Sequence, residues 1–386
     1  MVCRLLYYFI TFLKNRMKRL LHKIHLWLSI PLGLIITVIC FTGAMLVFEQ
    51  DITRVLNRHL YHVEVPQGKE RLNPSEVMNL VQERHGEMKI SSVSIPKAAD
   101  ATYQISFSNG GKKVLFVNPY TGESIGWSKS YPFFQTMKKL HRWFLDVPKS
   151  KGSMSTGKLI VGISTIAMTI ILISGLVIWL PRTRKALKNR LTVACSKGTR
   201  RLMYDSHVAL GFYATIFLLL MALTGPTWSF GWYREAAYSL LGAEPQTQSQ
   251  QTGHGHGQGD RQGSGKAERR QGNNIAYDVA LKEIQCLYSE YNYIKLSKNE
   301  ATVSLNKNGY RQKSDNIKFN PKTGKITEIR KFEDNSVWQN LRGLIYSLHV
   351  GTWGGPLTKV LYFLAALIGA TLPLTGYYLW LKKKRR

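Results

Sequence analysis

Acidic residues are scarce in this chain, and three segments almost lack them. The 386 residues include 23 Asp and Glu against 53 Lys and Arg, a formal net charge of +30. Such a charge could indicate nucleic-acid binding, so its distribution decides the interpretation. The segment through Trp27, the stretch 181–206 and the last five residues together hold 19 cations and one acid, Asp205. These segments flank long apolar runs, which is typical of the cytoplasmic side of a membrane protein, and we predict no nucleic-acid partner.

Four apolar runs of about 20 residues or more are each long enough to cross a bilayer. They extend roughly over Leu26–Phe48, Leu159–Leu180, Val208–Trp228 and Leu357–Leu381. The excess of cations predicts that both termini and the middle loop are cytoplasmic and that the two long intervening segments lie outside. The runs contain almost no charges or broken half-helices of the kind that transporters use, which argues against a permease.

The chain has few cysteines and lacks several cofactor motifs. Of its four cysteines only Cys286 lies in a segment predicted to be outside, so one chain cannot form an external disulfide. No Cys-x-x-Cys-His motif is present, which excludes covalent attachment of a c-type haem. Glycine-rich dinucleotide motifs, flavin signatures and Walker loops are absent as well. Any nucleotide or flavin would have to be supplied by another protein.

The two outside segments share one plan. Each begins with a helical pattern, near 73–86 and 275–291, and continues with short alternating runs that predict antiparallel strands. Each then contains an Asn-Pro-x-Thr-Gly turn, at 118–122 and 320–324. These matches predict a duplicated unit of span, small domain and span. The Gln-, Gly- and His-rich stretch 244–274 before the second helix predicts a disordered linker.

Two histidines begin the two spans that run outward. His25 precedes Gly43, and His207 precedes Gly225 at the same spacing. This spacing equals five helical turns, so each histidine shares a helix face with its glycine, about 27 Å away along the axis. The separation is close to the thickness of the hydrocarbon core.

Two further histidines precede the spans that run inward. His141 comes before Gly175, and His349 comes before Gly376. The first of these two intervals is the longer, and the stretch 147–156, rich in Lys, Ser and Gly, accounts for the difference. By topology this second pair lies at the outer edge of the membrane, whereas the first pair lies at the cytoplasmic edge.

The four histidines thus fall into two layers, with His25 facing His207 and His141 facing His349. Because a low-spin haem takes one imidazole on each side of a flat macrocycle, we predict two b-type haems with these histidines as axial ligands. The glycines would leave room for the porphyrin. The alternatives are that the histidines are interfacial residues and that the small residues are helix contacts. His22 has no counterpart in the repeat and is more typical of a lipid-headgroup contact than of a spare ligand.

Several of these stretches resemble the PepSY-associated transmembrane helix family. They are His-Leu-Trp-Leu-Ser at 25–29 with Thr42-Gly43, Leu-His-Arg at 140–142, and the Gly-Leu-Val-Ile-Trp-Leu-Pro-Arg stretch from 175 to 182. Ser29 stands where the family often has glycine. Members are described as iron-regulated inner-membrane proteins, some of them ferric-siderophore reductases with membrane-embedded haems. The resemblance implies that the matching histidines here bind haem and that the outside domains are PepSY-like.

The predicted fold is a membrane α-helical protein. It has four transmembrane helices from a duplicated span-domain-span unit and two small extracytoplasmic α+β PepSY-like domains. The predicted boundaries are a basic N-terminus at 1–25, spans at 26–48, 157–181, 207–231 and 357–381, outside segments at 49–156 and 232–356 with PepSY-like domains at about 73–126 and 275–333, a cytoplasmic loop at 182–206 and a tail at 382–386.

The functional hypothesis is transmembrane electron transfer in a bacterial inner membrane. A cytoplasmic flavoprotein or a membrane quinol would reduce the inner haem, and a ferric siderophore or other Fe(III) chelate outside would accept the electron. The alternative is a non-enzymatic membrane protein whose PepSY-like domains bind or regulate an envelope protease or other partner. Such a protein has no need for four histidines in two layers, which is the feature that separates the two hypotheses.

Overall fold

The computed structural model describes residues 2–109, 111, 113–150, 153–181, 183–243, 275–305 and 313–384. The predicted linker 244–274 lies outside the described residues. The chain divides into two compact units. We call residues 1–49, 131–241 and 344–386 the helical unit, and residues 50–130 and 242–343 the sheet unit.

Within the described residues, four helices are long and apolar enough to cross a membrane, as the sequence predicts. They cover Arg16–Val47, Thr156–Trp179, Thr199–Ser229 and Gly355–Lys383. In chain order the α-helices of the described residues are α1 (Val2–Val47), α2 (Glu49–Leu56), α3 (Arg58–Tyr61), α4 (Pro74–Arg84), α5 (Pro132–Trp143), α6 (Thr156–Trp179), α7 (Arg184–Leu191), α8 (Thr199–Asp205), α9 (Gly211–Thr224), α10 (Pro226–Ser229), α11 (Gly231–Leu240), α12 (Ile275–Leu287), α13 (Val337–Val350) and α14 (Gly355–Lys384). A π-helical turn, Ser206–Leu210, joins α8 to α9.

Helices α1 and α14 approach each other closely. Each contains a proline, Pro31 in α1 and Pro373 in α14, and transmembrane helices tolerate proline because neighbouring groups satisfy the freed backbone. The Tyr377 hydroxyl of α14 donates to the Ile30 carbonyl of α1 at 2.6 Å. This approach requires Gly33, because a Cβ there would lie 2.5 Å from the Tyr377 hydroxyl. Small residues therefore set the spacing of these spans.

The sheet unit contains one antiparallel sheet of eight strands. The strands are β1 (Ile90–Pro96), β2 (Tyr103–Phe107), β3 (Val114–Val117), β4 (Ser124–Trp127), β5 (Tyr293–Ser297), β6 (Glu300–Ser304), β7 (Ser314–Phe319) and β8 (Ile326–Arg330). Their order across the sheet is β4-β3-β2-β1-β5-β6-β7-β8. Buried strand side chains form one core with the apolar faces of α4 and α12. The Ser75 amide of α4 donates to the Asp278 carboxylate of α12 at 2.9 Å, which ties the two helices together.

The sequence pattern predicts two small domains, and the structure joins them into one sheet. Strand β1 pairs with β5 from Ser92 opposite Ser297 to Pro96 opposite Tyr293. No local pattern indicates this pairing, since the two strands belong to different outside segments with two spans between them in the chain. Strands β4 and β8 follow the two Asn-Pro-x-Thr-Gly turns. The sequence pattern does not predict these two strands, because each is a single short stretch of weakly patterned residues.

The second of these turns leaves no room for an added methyl group. Gly324 has φ +76°, and a Cβ there would lie 2.4 Å from the Ala276 carbonyl oxygen. We expect Gly324→Ala to destabilise the sheet unit by about 3 kcal/mol, from left-handed strain plus a backbone clash. Gly68→Ala is the matched control, because Gly68 has φ +70° with open space around it, and should cost only about 1 kcal/mol. Urea unfolding of the full chain in detergent would measure both, and equal costs would contradict the clash.

Candidate functional site

The four predicted histidines all belong to the helical unit. His25 lies within α1, and His207 lies in the π-helical turn that leads into α9. His141 and His349 lie near the C-terminal ends of α5 and α13, which are shorter helices outside the four spans. Single π-helical turns inside longer helices are frequent at functional sites.

Each of the four imidazoles packs against a glycine of a different helix. A Cβ built at Gly43 would lie 3.0 Å from Cε1 of His141, and one built at Gly175 would lie 3.1 Å from Cε1 of His25. The other two contacts repeat this arrangement. They pair Gly225 with His349 at 3.6 Å and Gly376 with His207 at 3.5 Å. In this structure each of the four glycines leaves room for an imidazole ring. That the glycines also leave room for a macrocycle stays a prediction.

Each imidazole also hydrogen-bonds to the helix that supplies its glycine. The Nδ1 atoms lie 3.0 Å from the Ile171 carbonyl for His25, 3.1 Å from that of Leu372 for His207, and 2.9 Å from that of Ile39 for His141. For His349 the corresponding backbone partner is Met221. In every case this residue precedes the glycine by one helical turn. A glycine leaves the side of the helix open here, so a ring nitrogen can reach the carbonyl.

A hydroxyl group directly before each glycine is a second partner. It belongs to Ser174 for His25, Thr375 for His207, Thr42 for His141 and Thr224 for His349, at 3.2, 2.9, 3.4 and 2.9 Å from Nδ1. The hydroxyls donate to carbonyls of their own helices, so their oxygens are free to accept from the ring.

These partners determine the protonation of the rings. A carbonyl oxygen only accepts, so Nδ1 must carry the proton in a neutral imidazole. Within the described residues none of these four rings is bonded through Nε2, which therefore keeps its lone pair. Histidines that bind metal commonly have this arrangement, in which one ring nitrogen donates to a protein oxygen and the other is the ligand.

We call His141 with His349 the outer pair and His25 with His207 the inner pair, after the layers that the sequence predicts. The rings of the outer pair face each other. The ring centroids of His141 and His349 are 6.1 Å apart, with an angle of 51° between the rings. Trp228 packs against His349 with ring centroids 5.0 Å apart. Burial lowers the pKa of the His141 imidazole, and burial together with the nearby His141 lowers the pKa of His349 to about 3. Both rings are therefore neutral at physiological pH.

The inner two histidines line one cavity of about 850 Å³ between the spans. Its deep part is apolar, with Ile36, Met168 and Leu218 among the side chains of its wall. The wall also includes Ser29 and Trp179, whose Oγ and Nε1 atoms are buried without a partner among the described residues. The cavity is large enough for a cofactor, since ligand sites usually measure about 300–1,000 Å³.

A family model of the PepSY-associated TM region matches residues 22–383. The chain belongs to this family. The match confirms the resemblance indicated by the sequence and, together with the four apolar helices, identifies a multi-pass membrane protein. A search of curated proteins found no match.

In this PepSY-associated protein the structure brings together the residues of each predicted pair, His25 with His207 in one cavity and His141 with His349 in direct proximity. His22 also lines the inner cavity, but it has none of the glycine and hydroxyl contacts of the other four. Among the described residues, no three His, Cys, Asp or Glu side chains converge on a point that could hold a metal ion alone.

Sequence reasoning missed the four hydroxyl partners. Thr42, Ser174, Thr224 and Thr375 stand directly before the glycines in the sequence, so the signal is present as a repeated Ser/Thr-Gly pair. The hydroxyl groups can be identified as histidine partners only when it is known which histidine each Ser/Thr-Gly pair contacts.

Proposed function

We propose that this protein carries electrons across the membrane on two b-type haems, each bound by two of the four histidines. The observation that supports this most strongly is the fourfold repetition of one contact. Each imidazole is held by a carbonyl, a hydroxyl and a glycine of another helix so that Nε2 remains available. Four interfacial histidines with no common task would have no reason to share this arrangement.

The residues of both sites fit this cofactor. Two imidazoles that bind one metal ion from opposite sides, each with a nitrogen–metal distance of about 2.0 Å, have ring centres about 6 Å apart. The His141 and His349 centroids are 6.1 Å apart. The inner pair lines a largely apolar cavity, which suits a flat apolar macrocycle. The chain has no Cys-x-x-Cys-His motif, so the haems would be held by axial ligands alone.

Bound haem would supply one-electron chemistry, which the amino-acid side chains cannot provide. The side chains would hold each ring in the neutral Nδ1–H tautomer, direct Nε2 toward its partner and keep water away from both sites. The hydrogen bonds from Nδ1 would make Nε2 more basic and so stabilise the oxidised metal. No catalytic acid or base is required.

The direction across the membrane follows from the charge distribution. The cation-rich segments would place both termini and the loop 182–206 in the cytoplasm of a bacterium, with the inner membrane as the location. The His25–His207 layer would then receive electrons from a cytoplasmic flavoprotein or a membrane quinol. The His141–His349 layer would deliver them outside, with a ferric siderophore or other Fe(III) chelate as the acceptor. We also infer that the span-domain-span unit arose by duplication, since the histidine contacts repeat in both halves.

Visible spectra of the full chain, purified in detergent from haem-replete cells, test the cofactor. We expect about two low-spin b-type haems per chain, reducible by dithionite. Vesicles that contain the protein, with reductant inside and an Fe(III) chelate and a ferrous-iron dye outside, test the acceptor. A coloured protein that forms no external Fe(II) would reject Fe(III) chelates. A colourless protein would reject electron transfer, and binding of an envelope partner by the sheet unit would then become the leading hypothesis.

A further inference from the structure

Five cations line one end of the inner cavity, where α1, α6, α8 and α14 meet. We call this set the basic mouth, and it consists of Arg190, Lys197, Arg200, Arg201 and Lys383. In the part of the chain that the structure describes, the lining of the cavity includes no Asp or Glu. The cavity is thus apolar in its depth and positively charged at one end, which is the complement of an amphipathic anion.

Two residues of the basic mouth, Arg190 and Arg201, make structural contacts within the protein. The Arg190 guanidinium of α7 donates to the carbonyls of Ile178 and Trp179, at the end of α6. Arg201 forms an ion pair with Asp205, its Nε 2.8 Å from the carboxylate. Asp205 is 2% exposed and also accepts from the Ala194 amide at 3.2 Å. These contacts hold the loop between the second and third spans against the cavity.

The other three cations of the basic mouth differ in this respect. Among the described residues, Lys197, Arg200 and Lys383 form no ion pair with an acid. All three side chains are exposed at the end of an apolar cavity, and an anion bound there would be attracted by all three charges. Arg200 can in addition bind a carboxylate through two parallel hydrogen bonds.

We propose that Lys197, Arg200 and Lys383 bind the two carboxylates of the macrocycle held by His25 and His207. This rests on the proposed function, which places haem in this cavity. These three cations would hold the carboxylate edge of the macrocycle, and Ile36 and Leu218 would contact its apolar edge. The basic mouth therefore selects the orientation of the cofactor. Arg190 and Asp205 are positioning residues, since they hold the loop.

A comparison of haem with its dimethyl ester, in which both carboxylates are blocked, tests whether the cations bind the carboxylates. Packing of the macrocycle is common to both forms. The full chain, prepared without haem, is titrated with each form in detergent. Each of the two carboxylates, held by charge-assisted contacts, contributes about tenfold in affinity, so we expect the inner site to bind haem about a hundredfold more tightly than the diester. In the triple variant Lys197→Gln, Arg200→Gln, Lys383→Gln that preference should fall to within a few-fold, while affinity for the diester is unchanged. Comparing this ratio between the wild type and the variants cancels any difference in solubility between haem and the diester.

A matched variant removes three cations from the same loop without changing the basic mouth. Arg184, Lys185 and Lys188 are exposed on α7 and do not line the cavity. Their replacement with Gln should leave the preference for haem intact. The spectrum of the outer haem shows whether each variant is folded.

Three results would overturn the proposal. The triple variant could keep the full preference, as it would if these cations bound a phospholipid headgroup instead. The matched variant could lose the preference equally, which would indicate general attraction by the basic loop. The wild-type inner site could bind haem and diester with equal affinity. A wild-type chain that bound neither would overturn the proposed function together with this inference, so the two failures are distinguishable.

Discussion

Replacement of His207 with alanine should remove the low-spin signal of one haem, about half of the total, and leave the other unchanged. The physical reason is that His207 and His25 would share one iron, whereas His141 and His349 are not among the residues that line this cavity and have their own partners. His25→Ala should give the same loss, and the double variant should lose no more than either single variant. The measurement is the reduced-minus-oxidised spectrum with haem quantified per chain.

His22→Ala is the matched control for this experiment. His22 lines the same cavity as His25 and His207, but it makes none of their hydrogen bonds to a Ser/Thr-Gly pair. Its replacement should leave both haems in place. If His22→Ala removed the inner haem and His207→Ala did not, the ligand assignment would be wrong.

Replacement of Gly43 with valine should abolish the outer haem while the inner one remains. A Cβ at this position would already lie 3.0 Å from His141, and the branches of valine would occupy the place of the imidazole ring. The ring would have to leave the Ile39 carbonyl and its place beside the His349 ring. A misplaced axial ligand loses its bond, so we expect complete loss of the low-spin signal of that layer, as for removal of His141 itself.

The effect of replacing one of these glycines with alanine should depend on the distance between the added Cβ and the histidine ring. Gly376→Ala places a Cβ 3.5 Å from His207, an ordinary contact, and should be tolerated, whereas Gly43→Ala should weaken haem binding measurably. Gly231→Val is the control for the bulk of valine, because Gly231 lies in the same unit with open space around it. Retention of both haems in Gly43→Val would show that the glycine does not position the ring.

The Ser/Thr-Gly pairs show which features of the site the sequence predicts and which it does not. The histidines, the glycines and their spacing are all visible in the chain, and their repetition is sufficient to predict two layers. The contact partner of each glycine is not visible, because His25 meets Gly175 and His141 meets Gly43, each across a long intervening stretch of chain. The same limitation explains why the sequence alone does not reveal that each glycine contacts an imidazole.

The sequence by itself determined the features that depend on short windows of chain. These are the four apolar spans, the cations at their ends, the helix and hairpin patterns of the sheet unit and the repeated positions of histidine and glycine. Only the tertiary structure decided the β1–β5 pairing, the packing of each imidazole against another helix and the position of the basic loop residues in the lining of the inner cavity. The physical reason is that hydrophobic period, turn chemistry and charge act locally. Contacts between distant residues depend on how whole helices and strands pack, and no local pattern encodes that packing.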